Sequence, residues 1–401
     1  MSATLGDDLR EAIYQAQWLT PDCEHLLSPG CLHVRNGIIQ QVWEGSDSSA
    51  INLGQVLIVP GLINAHTHLE FSDLAQPLAA GSPFPEWIRT VIQSRRQRST
   101  NVEVAIQRGW EESQRAGVTA VGEIATEDAT ADILARAGAA GIVFREILGL
   151  QNEAVPRGLN TARQWLQSDG NESAANAHCR HSILQRGISP HAPYSLHPAL
   201  FQGLIELSVE TRAPVAMHLA ETPEELELLA SHSGGLVDLL RSLDLWRASC
   251  FDEFRRPLDY LRELARSPRA LVIHGNYLTT EELDFVASQP QMSVVYCPRT
   301  HAAFGHTPHP WQAMQARGIR VILGTDSRAS NPDLSLIREL QFLQQTFPQT
   351  PTATLLKMVT SDAAEALGQS QLLGTLSPGK RARLTVITPA KSVVGKSWPR
   401  L

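Results

Sequence analysis

The sequence is short of several features, and each shortage removes a class of function. Cysteine is scattered: Cys23, Cys31, Cys179, Cys250 and Cys297 are odd in number, and no two stand at C-x-x-C spacing. Neither a disulfide framework nor a thiolate-rich zinc site is expected. No apolar run approaches the roughly 20 residues that span a bilayer. Residues 1–10 hold Asp7 and Asp8 and no apolar core of a signal peptide, so the cytoplasm is the expected compartment, without membrane contact. A formal charge of −7 over 401 residues offers no basic footprint for nucleic acid. No G-x-G-x-x-G follows a predicted strand, H-E-x-x-H is absent, and Cys297-Pro298 lacks the second cysteine of a cytidine-deaminase signature. Lysine is confined to Lys357, Lys380, Lys391 and Lys396. A small molecule is the expected partner. A homodimer is compatible with the sequence, which does not decide the oligomeric state.

What is present begins with an apolar run, Val56 to Glu70, that carries His66-Thr67-His68 near its end. Side chains two apart in a strand point the same way, so both imidazoles can share one cation. Before it, residues 12–58 read as short strands, with a hairpin signal at Asn36-Gly37. After it, apolar strands alternate with helices. Strands are predicted up to His68 and at 117–124, 141–148, 184–191, 214–218, 270–274, 292–297 and 319–326. A polar stretch, 168–181, reads as a loop insertion. Eight such units imply an α/β fold, a (β/α)8 TIM barrel with chemistry at the C-terminal strand ends. A doubly wound open sheet is the alternative. Helices at 333–345 and 352–367 follow, then a turn at 374–379 and a strand at 383–387. This tail is expected to join the N-terminal strands in a small discontinuous β-sandwich domain. The expected boundaries are 1–58 and 369–401 for that domain and 59–368 for the barrel.

Polar residues end the apolar strands. His66 and His68 close strand 1, His191 strand 4, His218 strand 5, His274 strand 6 and Asp326 strand 8. Singly, each has an ordinary reading as a core histidine or a loop-capping aspartate. Together they fall on the barrel rim where active sites form. Three imidazoles and a carboxylate suit one divalent metal, Zn2+ first and Fe2+ second. The residues alone leave His191, His218 and His274 as rivals for the third imidazole.

The segments Pro60-Gly61-Leu62-Ile63-Asn64-Ala65-His66-Thr67-His68, His218-Leu219-Ala220-Glu221, Ile273-His274-Gly275 and Gly324-Thr325-Asp326-Ser327 with Ser330-Asn331 resemble the amidohydrolase superfamily, in its deaminase and chlorohydrolase branch. The resemblance runs from about residue 40 to 387. It implies that His66, His68, His218 and Asp326 hold the metal, with Glu221 and His274 as an acid–base pair and Asp326 as base. A metal lowers the pKa of water near it, which makes a nucleophile at neutral pH. Glu221 would protonate a ring nitrogen and His274 would stabilise the tetrahedral adduct. Two-metal members of the superfamily use a bridging lysine on a barrel strand. All four lysines here follow the last predicted strand, so a single metal is expected.

For the substrate, Ser189-Pro190-His191-Ala192-Pro193-Tyr194-Ser195 resembles the strand-4 loop of adenosine-type deaminases, where the histidine contacts substrate. Asn64 to Phe71, Pro85-Glu86-Trp87-Ile88 and Phe144-Arg145-Glu146 are similar to one subgroup, the aminodeoxyfutalosine deaminases of menaquinone biosynthesis. His191, Trp87 and Arg145 are therefore the candidate substrate contacts: Trp87 to stack on a purine, or else to pack in a helix, and Arg145 to meet a carboxylate, or else to form an ion pair. Guanine, 8-oxoguanine, adenosine or S-adenosylhomocysteine deamination and triazine dechlorination are the rival reactions. A silent metal-binding paralogue is a third reading, opposed by the joint presence of Glu221, His274 and Asp326. After strand 7 the chain departs from its relatives: Cys297-Pro298-Arg299-Thr300-His301 stands where many carry a Ser-Asn pair. His301, His306 and His309 are expected as surface loop residues.

Overall fold

The computed structural model describes residues 2–5, 11–78, 81–168, 184–389 and 397–401. The predicted insertion at 168–181, past Ser168, and Cys179, Lys391 and Lys396 lie outside them.

Eight parallel strands run in chain order around one sheet. They are β1 (Leu62–Thr67), β2 (Val118–Ala125), β3 (Ala140–Ile147), β4 (Leu184–Pro190), β5 (Val215–Leu219), β6 (Ala270–His274), β7 (Met292–Tyr296) and β8 (Val321–Leu323). The sheet closes on itself at its C-terminal end. The backbone N–H groups of Thr325 and Asp326 both donate to the His66 carbonyl, at 3.1 Å. Lower in the seam the two strands part, and another segment fills the gap: Ile63 N–H donates to Val359 O at 2.8 Å and Leu323 N–H to Met358 O at 3.2 Å. The predicted single helix at 352–367 is therefore two, Thr352–Lys357 and Ser361–Ala366, because the backbone between them hydrogen-bonds into the barrel.

Both faces of the sheet are buried, which is why its strands read as unbroken apolar runs. The inner cluster contains Ile63, Ala65, Ile124, Phe144, Ala216, Ile273, Val295 and Ile322, capped from below by Ala363, Ala364 and Leu367. The outer faces pack against helices, among them α1 (Phe84–Gln97), α2 (Val102–Arg115), α3 (Ala129–Arg136), α4 (Ala154–Gln167), α5 (Pro198–Thr211), α6 (Pro223–Ser231) and α7 (Gly235–Ser242). No helix of the described residues is long and apolar enough to cross a membrane.

Two four-stranded sheets form the small β-sandwich. One joins Ser2–Leu5, Leu384–Ile387, Leu57–Pro60 and Trp18–Leu19; the other joins Ile38–Glu44, Gly30–Arg35, Ala12–Ala16 and Ile51–Asn52. Leu19, Ile58 and Leu384 from the first meet Tyr14, Leu32, Val34 and Ile39 from the second. Asn36 (φ 52°) and Gly37 (φ 70°) form the predicted hairpin turn, with the positive φ at both central residues that a type I′ turn demands. The first apolar run is not one strand but two, in different sheets. The break falls at Gly61, where a Cβ would collide with the Thr119 side chain.

Candidate active site

At the C-terminal rim β1 is irregular. Its register against β2 shifts between Asn64 and Thr67. Ile63 and Ala65 already face the lumen, so regular alternation would put Thr67 there next and turn the histidines away. The irregularity re-aims His66 and His68 inward, as bulges at barrel rims do. Three further rim residues have left-handed backbones: Ala220 (φ 53°), His274 (φ 69°) and Asp326 (φ 56°). Such conformations cost about 1–3 kcal/mol each and persist only when their surroundings hold them. Asp326 is held by its N–H on His66 O at 3.1 Å and by Thr67 Oγ1, which donates to its carbonyl at 3.2 Å. His274 is held by His309, whose Nε2 donates to its carbonyl at 2.9 Å.

These devices converge four side chains. The rings of His66 and His68 lie 4.9 Å apart, and His66 and His218 4.9 Å apart. Asp326 Oδ1 stands 3.5 Å from His66 Nε2 and 3.7 Å from His68 Nε2. The ligand atoms of His66, His68 and His218 all fall within 4.8 Å of one another. His66 Nδ1 and Nε2 and His68 Nδ1 are buried without a hydrogen-bond partner, a costly arrangement unless a cation completes it. Burial first, then the neighbouring imidazoles, lowers the pKa of His68 well below the usual histidine value and that of His218 to about 3. Neutral imidazoles are what a metal binds. His218 Nδ1 meets the His191 carbonyl at 3.0 Å. A carbonyl only accepts, so Nδ1 carries the proton and Nε2 is free for a cation. Burial opposes ionisation of Asp326, but His66, His274 and His68 hold its carboxyl far below the usual carboxylate range. Ser330 Oγ donates to its Oδ2 at 2.6 Å. The donor set therefore fits one divalent cation.

A second trio, Glu146, His191 and His218, is also close enough to ligate. It shares His218, whose single free nitrogen serves one ion, so the two trios exclude each other. The first has Asp326 as a fourth donor. His274 and Glu221 face each other across the same space, Nε2 to Oε1, at 3.4 Å. Burial, then the charge of Asp326, raises Glu221 well above its ordinary value, while burial lowers His274. Burial thus favours the protonated form of Glu221 and the neutral form of His274. The Glu221 N–H and that of Ala220 donate to Glu225 at 3.2 and 2.7 Å, which fixes the loop that carries Glu221.

A cavity of about 340 Å³ opens above these groups. His191 lines it, with Nδ1 bonded to Ser195 Oγ at 2.6 Å. Trp87 lines it as well, stacked on Phe84 at 5.6 Å and tied through Nε1 to Ala329 O at 3.3 Å. Arg145 does not reach it. Its Nε pairs with Asp128 at 2.7 Å and its Nη1 donates to the carbonyls of Ala125 and Glu146. Strand alternation turns Arg145 outward and its neighbour Glu146 inward, so the ion-pair alternative holds.

The post-strand-7 histidines correct the surface expectation. Pro298–Ala303 is a short helix, His301 and His309 are buried, and His306 is half-buried. His309 stacks on Tyr296 at 3.9 Å, and His306 Nδ1 meets Tyr277 Oη at 3.0 Å. Aromatic packing behind His274 outweighs the polarity that suggested a loop. Arg95 and Glu123 were missed from the sequence, and Glu146 and Ser330 were noted only within matching segments, with no role; the Glu123 carboxylate accepts the Leu69 N–H at 3.0 Å beside His68. Glu123 and Glu146 did carry a signal, an acid within an apolar strand.

Compared with known proteins, the sequence matches the amidohydrolase family over residues 57–397. It is 31% identical over 353 residues to the 5-methylthioadenosine/S-adenosylhomocysteine deaminase of Nitratidesulfovibrio vulgaris, a match covering 84% of this chain and 72% of the relative. The fold resembles Helicobacter pylori aminofutalosine deaminase with a TM-score of 0.78 at 22% identity, covering 96% of this chain and 94% of that one. It also resembles atrazine chlorohydrolase of Arthrobacter aurescens solved with zinc, with a TM-score of 0.73 at 20% identity, covering 93% and 85%.

Proposed function

The chain belongs to the amidohydrolase family as a metal-dependent deaminase, and from that footing we propose that it hydrolyses the 6-amino group of an adenine nucleoside bearing a 5′ substituent, with aminodeoxyfutalosine the first candidate. The observation that carries this reading is the meeting of Glu221, His274 and Asp326, with Glu221 Oε1 3.4 Å from His274 Nε2, under a cavity of about 340 Å³ that is walled mainly by apolar side chains. 5-Methylthioadenosine or S-adenosylhomocysteine is the second candidate, favoured by the relative at 31% identity. Work in menaquinone biosynthesis, in the cytoplasm, would follow from the first.

His66, His68, His218 and Asp326 would hold one metal, Zn2+ before Fe2+, zinc being the ion in a solved structure of similar fold. Such an ion supplies acidified water and polarisation of the reacting centre. The side chains manage the protons. Glu221 gives its proton to N1 of the ring, which makes C6 electrophilic. Asp326 takes a proton from the attacking water and returns it to the departing amine, and as the C6–N bond breaks the remaining hydroxyl proton of the adduct restores Glu221. His274, oriented by its held carbonyl, hydrogen-bonds the oxygen of the tetrahedral adduct. Water and the aminopurine become a 6-oxopurine and ammonia. His191, with its Nδ1 proton on Ser195, presents a lone pair on Nε2 to a substrate donor.

The test is ammonia release from purified, zinc-loaded protein offered aminodeoxyfutalosine, 5-methylthioadenosine, S-adenosylhomocysteine, adenosine and guanine. Turnover of a 5′-substituted adenine nucleoside is expected, and Glu221→Gln should lose about 10²–10⁴-fold of it while keeping fold and metal. Turnover of guanine alone, or an unaffected variant, would refute the reading.

A further inference from the structure

Arg145 was the cation expected to meet a charged substrate, and it is spent on Asp128. Another arginine stands where Arg145 does not. On α1 the residues Trp87, Ile88, Val91, Ile92 and Arg95 recur at helical spacing and line the cavity with one face. Opposite them stand leucines of α7 and the loop that follows, Leu236, Leu239, Leu240, Leu243 and Leu245. Within these apolar walls Arg95 is the single lysine or arginine among the described lining residues.

Its guanidinium is only partly used. Nη2 donates to Glu70 Oε1 at 2.6 Å, and the plane lies over the Phe71 ring at 4.9 Å. Glu70 is shared, because Arg98 takes its other oxygen at 3.4 Å and its carbonyl at 2.9 Å, although Arg98 Nε also pairs with Asp73 at 3.2 Å. Among the described residues Arg95 Nε, which is buried, and Nη1 have no hydrogen-bond partner. With Nε buried and Nη2 on Glu70, the Nη1 end of the guanidinium is the part that can meet an anion in the cavity. Arg95 lines the same cavity as His68 and His191, from the ends of β1 and β4, and Glu221 and His274, from the ends of β5 and β6.

We propose that Arg95 anchors a carboxylate carried on an otherwise apolar 5′ arm of the substrate, and so selects acid-armed adenine nucleosides over neutral ones. This rests on the deaminase reading for its substrate, but not for its test. Bulky apolar walls favour an aryl or alkyl arm. A zwitterionic amino-acid arm would leave its ammonium without a partner beside an arginine.

The experiment uses two matched probes, 5′-deoxy-5′-thioadenosines whose S-benzyl arm ends in a carboxylate or in the corresponding carboxamide. Their dissociation constants are measured by calorimetry on zinc-loaded wild-type protein, on Arg95→Gln and on Arg95→Lys. Turnover is recorded in parallel. Wild type should bind the acid at least tenfold tighter than the amide, more so at low salt. Arg95→Gln should reduce that preference to below threefold, and Arg95→Lys should retain part of it. Equal binding of acid and amide by wild type, or an unchanged preference in Arg95→Gln, overturns the anchor. The wild-type comparison needs no variant to fold. Absence of turnover with the binding preference intact would count against the deaminase reading while supporting the anchor.

Discussion

Removing one hydroxyl, by Ser330→Ala, should cripple the enzyme without unfolding it. Ser330 Oγ donates to Asp326 Oδ2 at 2.6 Å and also contacts Thr300 Oγ1 at 3.1 Å. The other carboxylate oxygen faces His66 and His68 at 3.5 and 3.7 Å. Among the described residues no other hydrogen bond as short fixes the plane of the carboxylate. A hydrogen bond to a charged group contributes about 1.5–3 kcal/mol. If that interaction is realised fully in the transition state, its loss lowers kcat/KM about 10- to 150-fold. The same energy would raise the Asp326 pKa by about 1–2 units. That carboxyl starts far below the usual range, so it stays ionised at neutral pH. The loss should therefore appear in kcat with no new ionisation between pH 5 and 8. Steady-state deamination across pH, with chelator competition for the metal, is the assay. Ser330→Thr keeps the hydroxyl and should recover most activity. Ser330→Ala within threefold of wild type, with unaltered metal retention, would refute the argument.

Three further outcomes are expected. A Cβ on Gly324 would stand 2.7 Å from His66 Cβ and 2.8 Å from His66 O, so Gly324→Ala should open the β1–β8 seam. We expect a cost of about 1–3 kcal/mol in chemical denaturation together with weaker metal binding; a stable variant with full metal content would contradict that view of the seam. Burial pushes Glu225 from 4.5 up to about 7, despite the two N–H groups it accepts. Between those values the folded chain keeps a proton that the unfolded chain has released, so stability falls as pH rises from 4.5 to about 7 and then levels. Glu225→Gln should remove up to about 3 kcal/mol of that slope, and parallel unfolding curves across this window for the two proteins would sink the assignment. Asp326→Ala deletes the one anionic donor, so metal content by elemental analysis should drop well below one ion per chain; full occupancy would contradict the ligand set.

Much of the architecture was legible because its signals are local. Alternating apolar runs and helices mark a barrel whatever the side chains later touch. Asn36-Gly37 marks a hairpin because few residues tolerate the left-handed backbone. His66 and His68 share a side because a strand has period two, and the polar residues ending strands 4, 5, 6 and 8 belong to the rim because the barrel puts every strand end there.

Other features depend on partners distant in the chain. Strand period made His66 and His68 point together, but only the register shift against β2 decided that they point inward. His191, His218 and His274 were equivalent on paper. His218 was set apart by the carbonyl of His191, which fixes its tautomer, and by its distance to His66. Arg145 and Arg95 are both arginines near apolar segments, and nothing local says that Asp128 takes the first while the second faces the cavity. His301, His306 and His309 read as a polar loop, yet Tyr296, Tyr277 and the His274 carbonyl draw them into packed contact. The sequence by itself determined which groups could do the chemistry, since residue type and period set donors and strand ends. Only the tertiary structure decided which of them meet, because distance, tautomer and pKa are set by neighbours that barrel closure brings from elsewhere in the chain.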